Sequence, residues 1–533
     1  MKTIHKSKAW LWVAAALGLM LLGTLVYIFL PGRGNLPDLP APDYWPTDGW
    51  QTTTPEEQGF DSLKLAEGLS AVQKAGIPIH SLLIARNGRI LLEAYFYPYD
   101  GKEPHSTSSV TKSITTTLIG IAANQGKLSL DDRMVSFFPE YTIANLDARK
   151  KSITVRHLAS MSAGMECSGP PDELTVAEME ASPDWVQFAL DRPMADEPGK
   201  KWNYCGLWMH LLSAILEKAT GMPAQEFARL NLFEPLGIQA GTWPADPQGV
   251  NMGAGNLRLY PTDMAKLGLL WLQQGRWDGR QVVSSSWVRQ SVVVRFQPGG
   301  DSYGYGWWIS KGLGGPAYNA EGNAGQRIAM DPTLNLIVVT TGGDGFNFDD
   351  VVPYLVSAFV DFKKPLQANP DGDEHLIELA AALSKPPAPQ PVPALPAEAG
   401  EISGKLIHFD PNAFMLESLR LDFNNSAEAT VQFAFTDGQQ TPPAPLGLDG
   451  LYRMTPGLNL DRAFHGFADF KNLTVGLRGT WVDEKTFRLE YDTLVNRYFY
   501  LLEMQFNGDQ ISMKASERGT NAAGTINGRL QKP

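Results

Sequence analysis

The amino-acid sequence predicts a mixed α and β domain followed by a separate all-β domain, both placed after an N-terminal apolar span. Three observations support this organisation: an uncharged apolar run near the start, a long mixed region containing two strand pairs, and a proline-rich segment followed by short alternating strands. A chain of 533 residues is also too long for one hydrophobic core.

The N-terminus has the pattern of a membrane anchor. Three lysines precede the apolar run 9–30, which Pro31-Gly32-Arg33 closes. At 1.5 Å per residue this run is long enough to cross a bilayer core of about 30 Å. Because it ends in Tyr-Ile-Phe-Leu, a poor cleavage site, we predict an uncleaved single-pass anchor in the inner membrane. Residues 1–8 would stay in the cytoplasm, and everything after Gly32 would be periplasmic.

The remainder of the chain divides by composition. We predict a proline-rich stalk over 31–50, a mixed domain over 51–380, a proline-rich linker over 381–398 and an all-β, barrel-like domain over 399–533.

The strand and helix patterns of the mixed domain are local and clear. Asp61 is placed as the N-cap of a helix through Lys74. Residues 81–96 form two apolar runs around an Asn-Gly dipeptide, which predicts a hairpin. A second strand pair, 327–330 with 336–341, precedes a helix predicted over 350–362. In the all-β domain, Asn-Gly-Asp at 507–509 predicts another hairpin.

Composition excludes several function classes. The net charge of −12 opposes binding to nucleic acid. The eight histidines and two cysteines show none of the clustered spacings of metal ligands, so we predict no metal and no cofactor.

The chemistry centres on Ser109-Val-Thr-Lys112, the only Ser-x-x-Lys in the chain. Positions i and i+3 share one face of a helix, which brings the lysine amine near the serine hydroxyl. A lysine withdrawn from water can act as the base that a serine nucleophile needs. The helix N-terminus also favours a developing oxyanion.

Residues up to about 364 resemble the class C serine β-lactamase-like and penicillin-binding-protein-like hydrolases. That family includes D-Ala-D-Ala carboxypeptidases, esterases and 6-aminohexanoate-oligomer hydrolases. Four segments carry the resemblance, in this order along the chain: 106–113, 153–165, 198–206 with a helix over 211–221, and 320–326 before a strand.

The resemblance implies a β-lactamase/transpeptidase-like fold, with an antiparallel sheet flanked by helices and an all-helical subdomain. It makes Ser109 the acylated nucleophile, Lys112 its base or proton relay, and Tyr204 the second acid/base. The oxyanion hole would be the backbone N–H groups of Ser109 and Asn323.

Two departures from the family pattern concern substrate binding. The last of the four segments contains what we call the third motif, after Ser-x-x-Lys and Tyr-x-Asn. It reads Ala320-Glu321-Gly322, without the cationic residue that helps to bind a substrate carboxylate. Arg327 could supply that charge, or it could be a solvated strand residue. The Tyr-x-Asn motif reads Tyr204-Cys-Gly206 and lacks the asparagine amide. Both departures point away from β-lactams and towards another amide or ester.

The resemblance is closest to the 6-aminohexanoate-hydrolase branch. The segments that carry it are 243–249, 253–257, 261–270, 275–279 and the Gly-Asn-x-Gly-Gln form of 322–326. Asn256, within the second of these, either lines the cleft or is a turn residue.

Cys167 and Cys205 are the only cysteines. Outside the cytoplasm a pair can oxidise. Because the resemblance puts both beside the same cleft, we predict a disulfide, with two buried thiols as the alternative.

Three functions follow from the sequence. The first is a serine hydrolase of a small-molecule or peptide-like amide or ester. The second is a penicillin-recognising D,D-carboxypeptidase or β-lactamase. The third is a catalytically silent relative that binds ligands.

Overall fold

The structure, a computed structural model, describes residues 36–170, 173–424, 427–458, 473–518 and 523–531. The anchor predicted over 9–30 lies outside these ranges. Within them, no helix combines the length and the apolar character needed to cross a membrane. Residues 36–50, predicted as a stalk, pack against the mixed domain, where the Trp50 indole donates to the Thr262 carbonyl at 3.0 Å.

A seven-stranded antiparallel sheet forms the centre of the mixed domain. The strands of this domain are β1 (Ile79–Arg86), β2 (Arg89–Tyr95), β3 (His105–Ser106), β4 (Arg258–Leu259), β5 (Arg276–Trp277), β6 (Arg280–Gln281), β7 (Ser302–Tyr303), β8 (Trp308–Lys311), β9 (Pro316–Gly322), β10 (Gln326–Asp331) and β11 (Leu336–Gly342). The central sheet has the order β2-β1-β11-β10-β9-β8-β7, while β3 pairs with β4 and β5 with β6. Both predicted strand pairs are present.

Helices cover both faces of this sheet. In chain order the helices are α1 (Ser62–Lys74), α2 (Val110–Asn124), α3 (Ala148–Ser152), α4 (Val155–Ala159), α5 (Leu174–Ala181), α6 (Trp185–Asp191), α7 (Gly206–Thr220), α8 (Ala224–Ala228), α9 (Glu234–Leu236), α10 (Pro261–Leu272), α11 (Ser285–Ser291), α12 (Val352–Ala358) and α13 (Pro370–Leu383), with α14 (Ala397–Ile402) placed just before the barrel.

Strand β1 shows how the layers meet, because every one of its residues is buried. Leu82 and Ile84 belong to the core that contains α1, α12 and α13. Leu83 and Ala85 point the other way, into the larger core that contains α2, α7 and α10. A strand buried on both faces reads in sequence as a continuous apolar run.

The C-terminal domain is a closed antiparallel barrel. Its strands are β12 (Leu406–Phe409), β13 (Leu416–Asp422), β14 (Glu428–Phe435), β15 (Ala444–Gly447), β16 (Arg453–Pro456), β17 (Thr474–Trp481), β18 (Thr486–Asp492), β19 (Phe499–Asn507), β20 (Gln510–Glu517) and β21 (Ala523–Leu530). The order is β15-β14-β13-β12-β21-β20-β19-β18-β17-β16. A parallel pairing of Gly447 with Arg478 joins β15 to β17 and closes the ring. Among the described strands, β16 stays at the edge, because it pairs only with β17.

The domain boundaries stay a prediction. Residues 386–396, inside the predicted linker, contain neither helix nor strand. Helix α13 reaches Leu383 and α14 begins at Ala397, so each enters the predicted linker by a few residues.

Candidate active site

Ser109 stands at the start of α2, on a strained turn. It is the N-cap residue of the helix, but its side chain makes no capping hydrogen bond. Ser108 before it has a φ of 46°, which a non-glycine residue rarely adopts. Such strain is found where the surrounding structure holds a functional residue in place. The turn leaves the Ser109 hydroxyl free to meet another partner.

That partner is Lys112, one turn further along α2. Its Nζ atom donates to Ser109 Oγ at 2.7 Å and to the carbonyl of Ala254 at 2.8 Å. The side chain is almost fully buried, with 3% of the residue exposed. No carboxylate forms an ion pair with it among the described residues. The amine therefore faces the serine oxygen in a site largely closed to water.

The loop 253–257 supplies the carbonyl that holds Lys112. A Cβ atom on Gly253 would lie 2.1 Å from the Met209 carbonyl oxygen, so only glycine fits against α7. Asn256 has a φ of 64° and accepts a hydrogen bond from Ser106 Oγ at 3.3 Å. Asn256 is therefore a turn residue that supports the segment leading to Ser109.

Tyr204 lies beside Lys112 in a group of four aromatic residues. Lys112 Nζ is 4.9 Å from the centre of the Tyr204 ring. The rings of Trp202, Tyr303 and Trp308 have their centres 5.9, 6.2 and 5.9 Å from that of Tyr204. We call these four residues the aromatic wall. The structure thus brings together Ser109, Lys112 and Tyr204, which the sequence placed in two distant motifs.

Strand alternation explains why one tryptophan of a pair joins the wall. Trp308 is partly exposed and contacts Tyr204. Its neighbour Trp307 points to the other side and stacks on Trp271 in the core, with ring centres 4.6 Å apart. Successive side chains of a strand face opposite ways, so Trp308 lines the cleft while Trp307 faces the core.

The end of β9 approaches the backbone of Ser109. A Cβ atom on Gly322 would lie 2.6 Å from the Thr107 carbonyl oxygen and 3.0 Å from Ser109 N. Only a glycine allows this approach. Asn323 follows in the turn to β10, and neither its backbone N–H nor that of Ser109 donates to an acceptor within the described part of the chain. Within the described residues these are two unpaired donors near the Ser109 hydroxyl.

The charged residues near the third motif, Arg327 and Glu321, form an ion pair with each other. Arg327 Nη2 donates to Glu321 Oε1 at 2.6 Å across the β9–β10 pair. The Arg327 guanidinium also stacks on the Phe348 ring at 4.5 Å. Burial raises the pKa of the Glu321 carboxyl, and Arg327 opposes that rise. Ala320 is fully buried and carries no charge. Arg327 is therefore neither a free cation nor a solvated residue.

Cys205 and Gly206 directly follow Tyr204, and the packing around them constrains this part of the site. Cys167 and Cys205 form a disulfide, as predicted, which ties the loop after Met165 to the residue after Tyr204. A Cβ atom on Gly206 would lie 3.1 Å from Val176 and 3.2 Å from Ala254. The asparagine of the Tyr-x-Asn motif would therefore displace these neighbours.

Sequence reasoning missed two groups near the site. Glu180, on α5, has a carboxyl pKa raised well above its usual range by burial and by Glu173, while Arg497 and Lys112 lower it. Arg497 belongs to the barrel, in the loop between β18 and β19. No sequence pattern links these residues to Ser109. No group of three His, Cys, Asp or Glu side chains could hold a metal within the described ranges.

Comparisons with known proteins agree on one family. The family model described as Beta-lactamase matches residues 67–352. The 6-aminohexanoate-dimer hydrolase of Paenarthrobacter ureafaciens is 22% identical over 282 residues, which cover 49% of this chain and 71% of the relative. Protein flp of Staphylococcus aureus is 22% identical over 173 residues, 31% of this chain and 34% of flp, so only about a third of flp is spanned.

Among solved structures, the octameric penicillin-binding protein homologue from Pyrococcus abyssi gives a TM-score of 0.46 at 16% identity. That match covers 87% of this chain and 99% of the other.

Proposed function

Because the chain belongs to the beta-lactamase family of serine hydrolases, we propose that it hydrolyses an amide or ester through an acyl-enzyme on Ser109. The observation that carries the proposal is the 2.7 Å contact between Lys112 Nζ and Ser109 Oγ. Lys112 is buried and lacks an ion-pair partner in the described ranges, and its amine contacts the Ser109 hydroxyl and the Ala254 carbonyl. A nucleophile and its base within hydrogen-bond reach are the signature of covalent catalysis.

The proposed reaction has two halves. Ser109 Oγ bonds to the substrate carbonyl carbon as Lys112 takes the hydroxyl proton. The carbonyl oxygen becomes an oxyanion that the backbone N–H groups of Ser109 and Asn323 stabilise. Tyr204 then protonates the leaving amine or alcohol as its bond to the carbonyl carbon breaks. In the second half water attacks the carbonyl carbon of the acyl-enzyme and Tyr204 takes a water proton. The bond from that carbon to Ser109 Oγ then breaks, the acid leaves, and Lys112 returns its proton to Ser109 Oγ.

The charges of the site favour a substrate without a carboxylate at the third motif. Ala320 offers no cation and Arg327 is already paired with Glu321. A penicillin or a D-Ala terminus would bring a carboxylate to this region without a free positive charge to receive it. The aromatic wall instead offers a flat apolar surface next to Tyr204. We therefore place uncharged esters and amides with an apolar acyl group first.

The disulfide supports a location outside the cytoplasm. Disulfides persist in oxidising compartments and are rare where glutathione keeps thiols reduced. We propose that the hydrolase works on the periplasmic side, tethered by the predicted anchor.

The deciding experiment is intact-mass spectrometry after reaction with a fluorophosphonate. The chain should gain one adduct, localised to Ser109 by peptide mapping, and Ser109→Ala should gain none. Turnover of a p-nitrophenyl ester series then measures hydrolysis. A chain that stays unlabelled would favour the silent ligand-binding alternative. Acylation by labelled penicillin faster than by any ester would favour the penicillin-recognising alternative.

A further inference from the structure

The loop between β18 and β19 of the barrel is buried although loops normally lie at the surface. We call residues 493–498 the bridging loop. All but Arg497 are less than 9% exposed, and Thr493 is completely buried. The mixed domain covers this loop, so its position in the molecule depends on both domains.

One contact of the bridging loop reaches the segment that presents the nucleophile. The backbone N–H of Ser106 donates to the Val495 carbonyl at 2.7 Å. Ser106 lies three residues before Ser109, and its hydroxyl accepts from the Ser108 N–H at 3.4 Å. A residue of the barrel therefore holds the start of the strained turn at Ser108.

A second contact reaches the other side of the site. The backbone N–H of Asp344 donates to the Arg497 carbonyl at 2.7 Å, and Arg497 Nη1 donates to Asp344 Oδ1 at 2.8 Å. Asp344 follows the end of β11, where Gly342 exchanges two hydrogen bonds with the Gln326 side chain, at 2.7 and 3.2 Å. Gln326 directly follows the turn that contains Asn323. The loop thus connects the two sides of the proposed oxyanion hole.

The bridging loop is also braced from within. Thr493 Oγ1 donates to the Tyr498 carbonyl at 2.8 Å, and the Leu494 N–H donates to Asp492 Oδ1 at 2.9 Å. Arg497 stacks on the Tyr498 ring at 4.4 Å. A loop fixed at both ends and in its middle can hold its two contacts at a constant separation.

We infer that the bridging loop is a positioning element of the hydrolase site, and that Arg497 and Asp344 set the relative position of the Ser109 turn and the Asn323 turn. The inference rests on the proposed function and goes beyond it, because it gives the barrel a part in catalysis. Small displacements of a nucleophile from its oxyanion donors reduce rates strongly.

The test compares Arg497→Gln and Asp344→Asn with the matched control Arg488→Gln, all in the full chain. Arg488 forms a similar ion pair with Glu503, at 2.7 Å, within the barrel. Arg497→Gln is expected to lower kcat for a p-nitrophenyl ester about tenfold to a hundredfold, with KM nearly unchanged, because positioning affects the transition state. Arg488→Gln should leave kcat unchanged.

Melting temperatures and fluorophosphonate labelling separate the outcomes. If Arg497→Gln does not fold, Asp344→Asn, which keeps the side-chain size, gives the answer. The double variant should be no slower than the slower single one, because the two residues act as a unit. A kcat within twofold of the unmodified chain in both single variants overturns the inference. An unlabelled unmodified chain overturns the proposed function instead.

Discussion

The Ser109 side chain behaves unlike that of an ordinary residue at a helix start. A serine at this position usually accepts a backbone N–H of the first turn, which stabilises the helix by about 1 kcal/mol. Ser109 makes no such bond and receives a hydrogen bond from Lys112 instead. Helix α2 therefore starts without a capping hydrogen bond from Ser109, and Ser109 Oγ stays within hydrogen-bond distance of Lys112 Nζ.

Ser109→Ala is therefore expected to abolish labelling with little loss of stability. The variant removes no capping hydrogen bond, so the melting temperature should stay near that of the unmodified chain. Thermal unfolding followed by circular dichroism measures this. The comparison is Ser284→Ala, which removes a hydroxyl that accepts from the Trp287 N–H at 3.3 Å and should cost about 1 kcal/mol. An equal loss in both variants would contradict the expectation.

Lys112→Met tests the proposed base. Removal of a general base lowers rates by about 10² to 10⁴-fold, and we expect a decrease of this size in the rate of fluorophosphonate labelling. Lys150→Met is the matched control, because Lys150 is also buried and donates to two carbonyl oxygens, those of Ala144 and Leu190. Both variants remove a buried lysine amine. A similar labelling rate in the two would show that Lys112 acts through packing alone.

Tyr204→Phe tests the proposed second acid/base. The ring stays in the aromatic wall while the hydroxyl is lost, so turnover should fall at least about tenfold with KM little changed. Tyr303→Phe serves as the control, since burial raises the pKa of the Tyr303 phenol well above its usual range and keeps it neutral. Pre-steady-state kinetics with a p-nitrophenyl ester provide the measurement. Equal turnover in the two variants would remove Tyr204 from the mechanism.

The sequence predicted the local part of this site and not its distant part. Ser109 and Lys112 share a helix face, so their contact follows from spacing alone. The Ala254 carbonyl that also binds Lys112 lies 142 residues away, and only the packing of α7 against the glycine loop brings it there. The ion pair between Arg327 and Glu321 could not be predicted from the sequence either, because it depends on the register between β9 and β10.

At the scale of elements, β9 forms the edge of the site through one glycine. Gly322→Ala would place a methyl group 2.6 Å from the Thr107 carbonyl oxygen and should push the strand end away from Ser109. We expect labelling to slow by about tenfold to a hundredfold, as for other small displacements of a catalytic group. Gly300→Ala, where a Cβ meets nothing within 4 Å, is the matched control. Labelling rates that stay equal would rule out a tight β9 approach.

Elements with strong local signals were predicted well. Asp61 caps α1 by accepting from Lys64 N, and α1 ends at Lys74 as expected. The helix expected over 350–362 is shorter, because Phe359 leaves it to pair with Phe60, with ring centres 4.8 Å apart. Helix α13 was not predicted. These differences reflect tertiary contacts that overrule local preference.

At the scale of the whole molecule, a buried histidine pair lies where the two domains meet. His105 Nδ1 must donate to the Ser106 carbonyl at 2.7 Å, since a carbonyl only accepts. His105 Nε2 therefore accepts from His80 Nδ1 at 2.9 Å. Burial, opposed by the Ser106 hydrogen bond and reinforced by the Arg258 charge, lowers the pKa of His105 to about 4.

This pair predicts a loss of stability in acid. The unfolded chain binds a proton at His105 below about pH 6.5, but the folded chain does so only near pH 4. The stability that neutral His105 contributes is thus complete above pH 6.5 and is lost as the pH falls to 4. The loss is about 3 kcal/mol.

The free energy of unfolding, measured with urea at pH 7 and at pH 4.5, tests this loss of stability. His105→Gln should be less stable than the unmodified chain at pH 7, and this difference should shrink at pH 4.5. The exposed His375→Gln is the control and should follow the unmodified chain at both values. A difference that is independent of pH would contradict the expectation.

The contact between Ser106 and Val495 also bears on the order in which the chain is made. Ribosomes synthesise Ser109, Lys112 and Tyr204 long before Val495, and the barrel closes only when β21 has been added. A nascent or prematurely terminated chain would carry Ser109 without the contact between Ser106 and Val495. On the proposed function, a chain that stops before Val495 is expected to hydrolyse esters more slowly than the chain that contains the bridging loop.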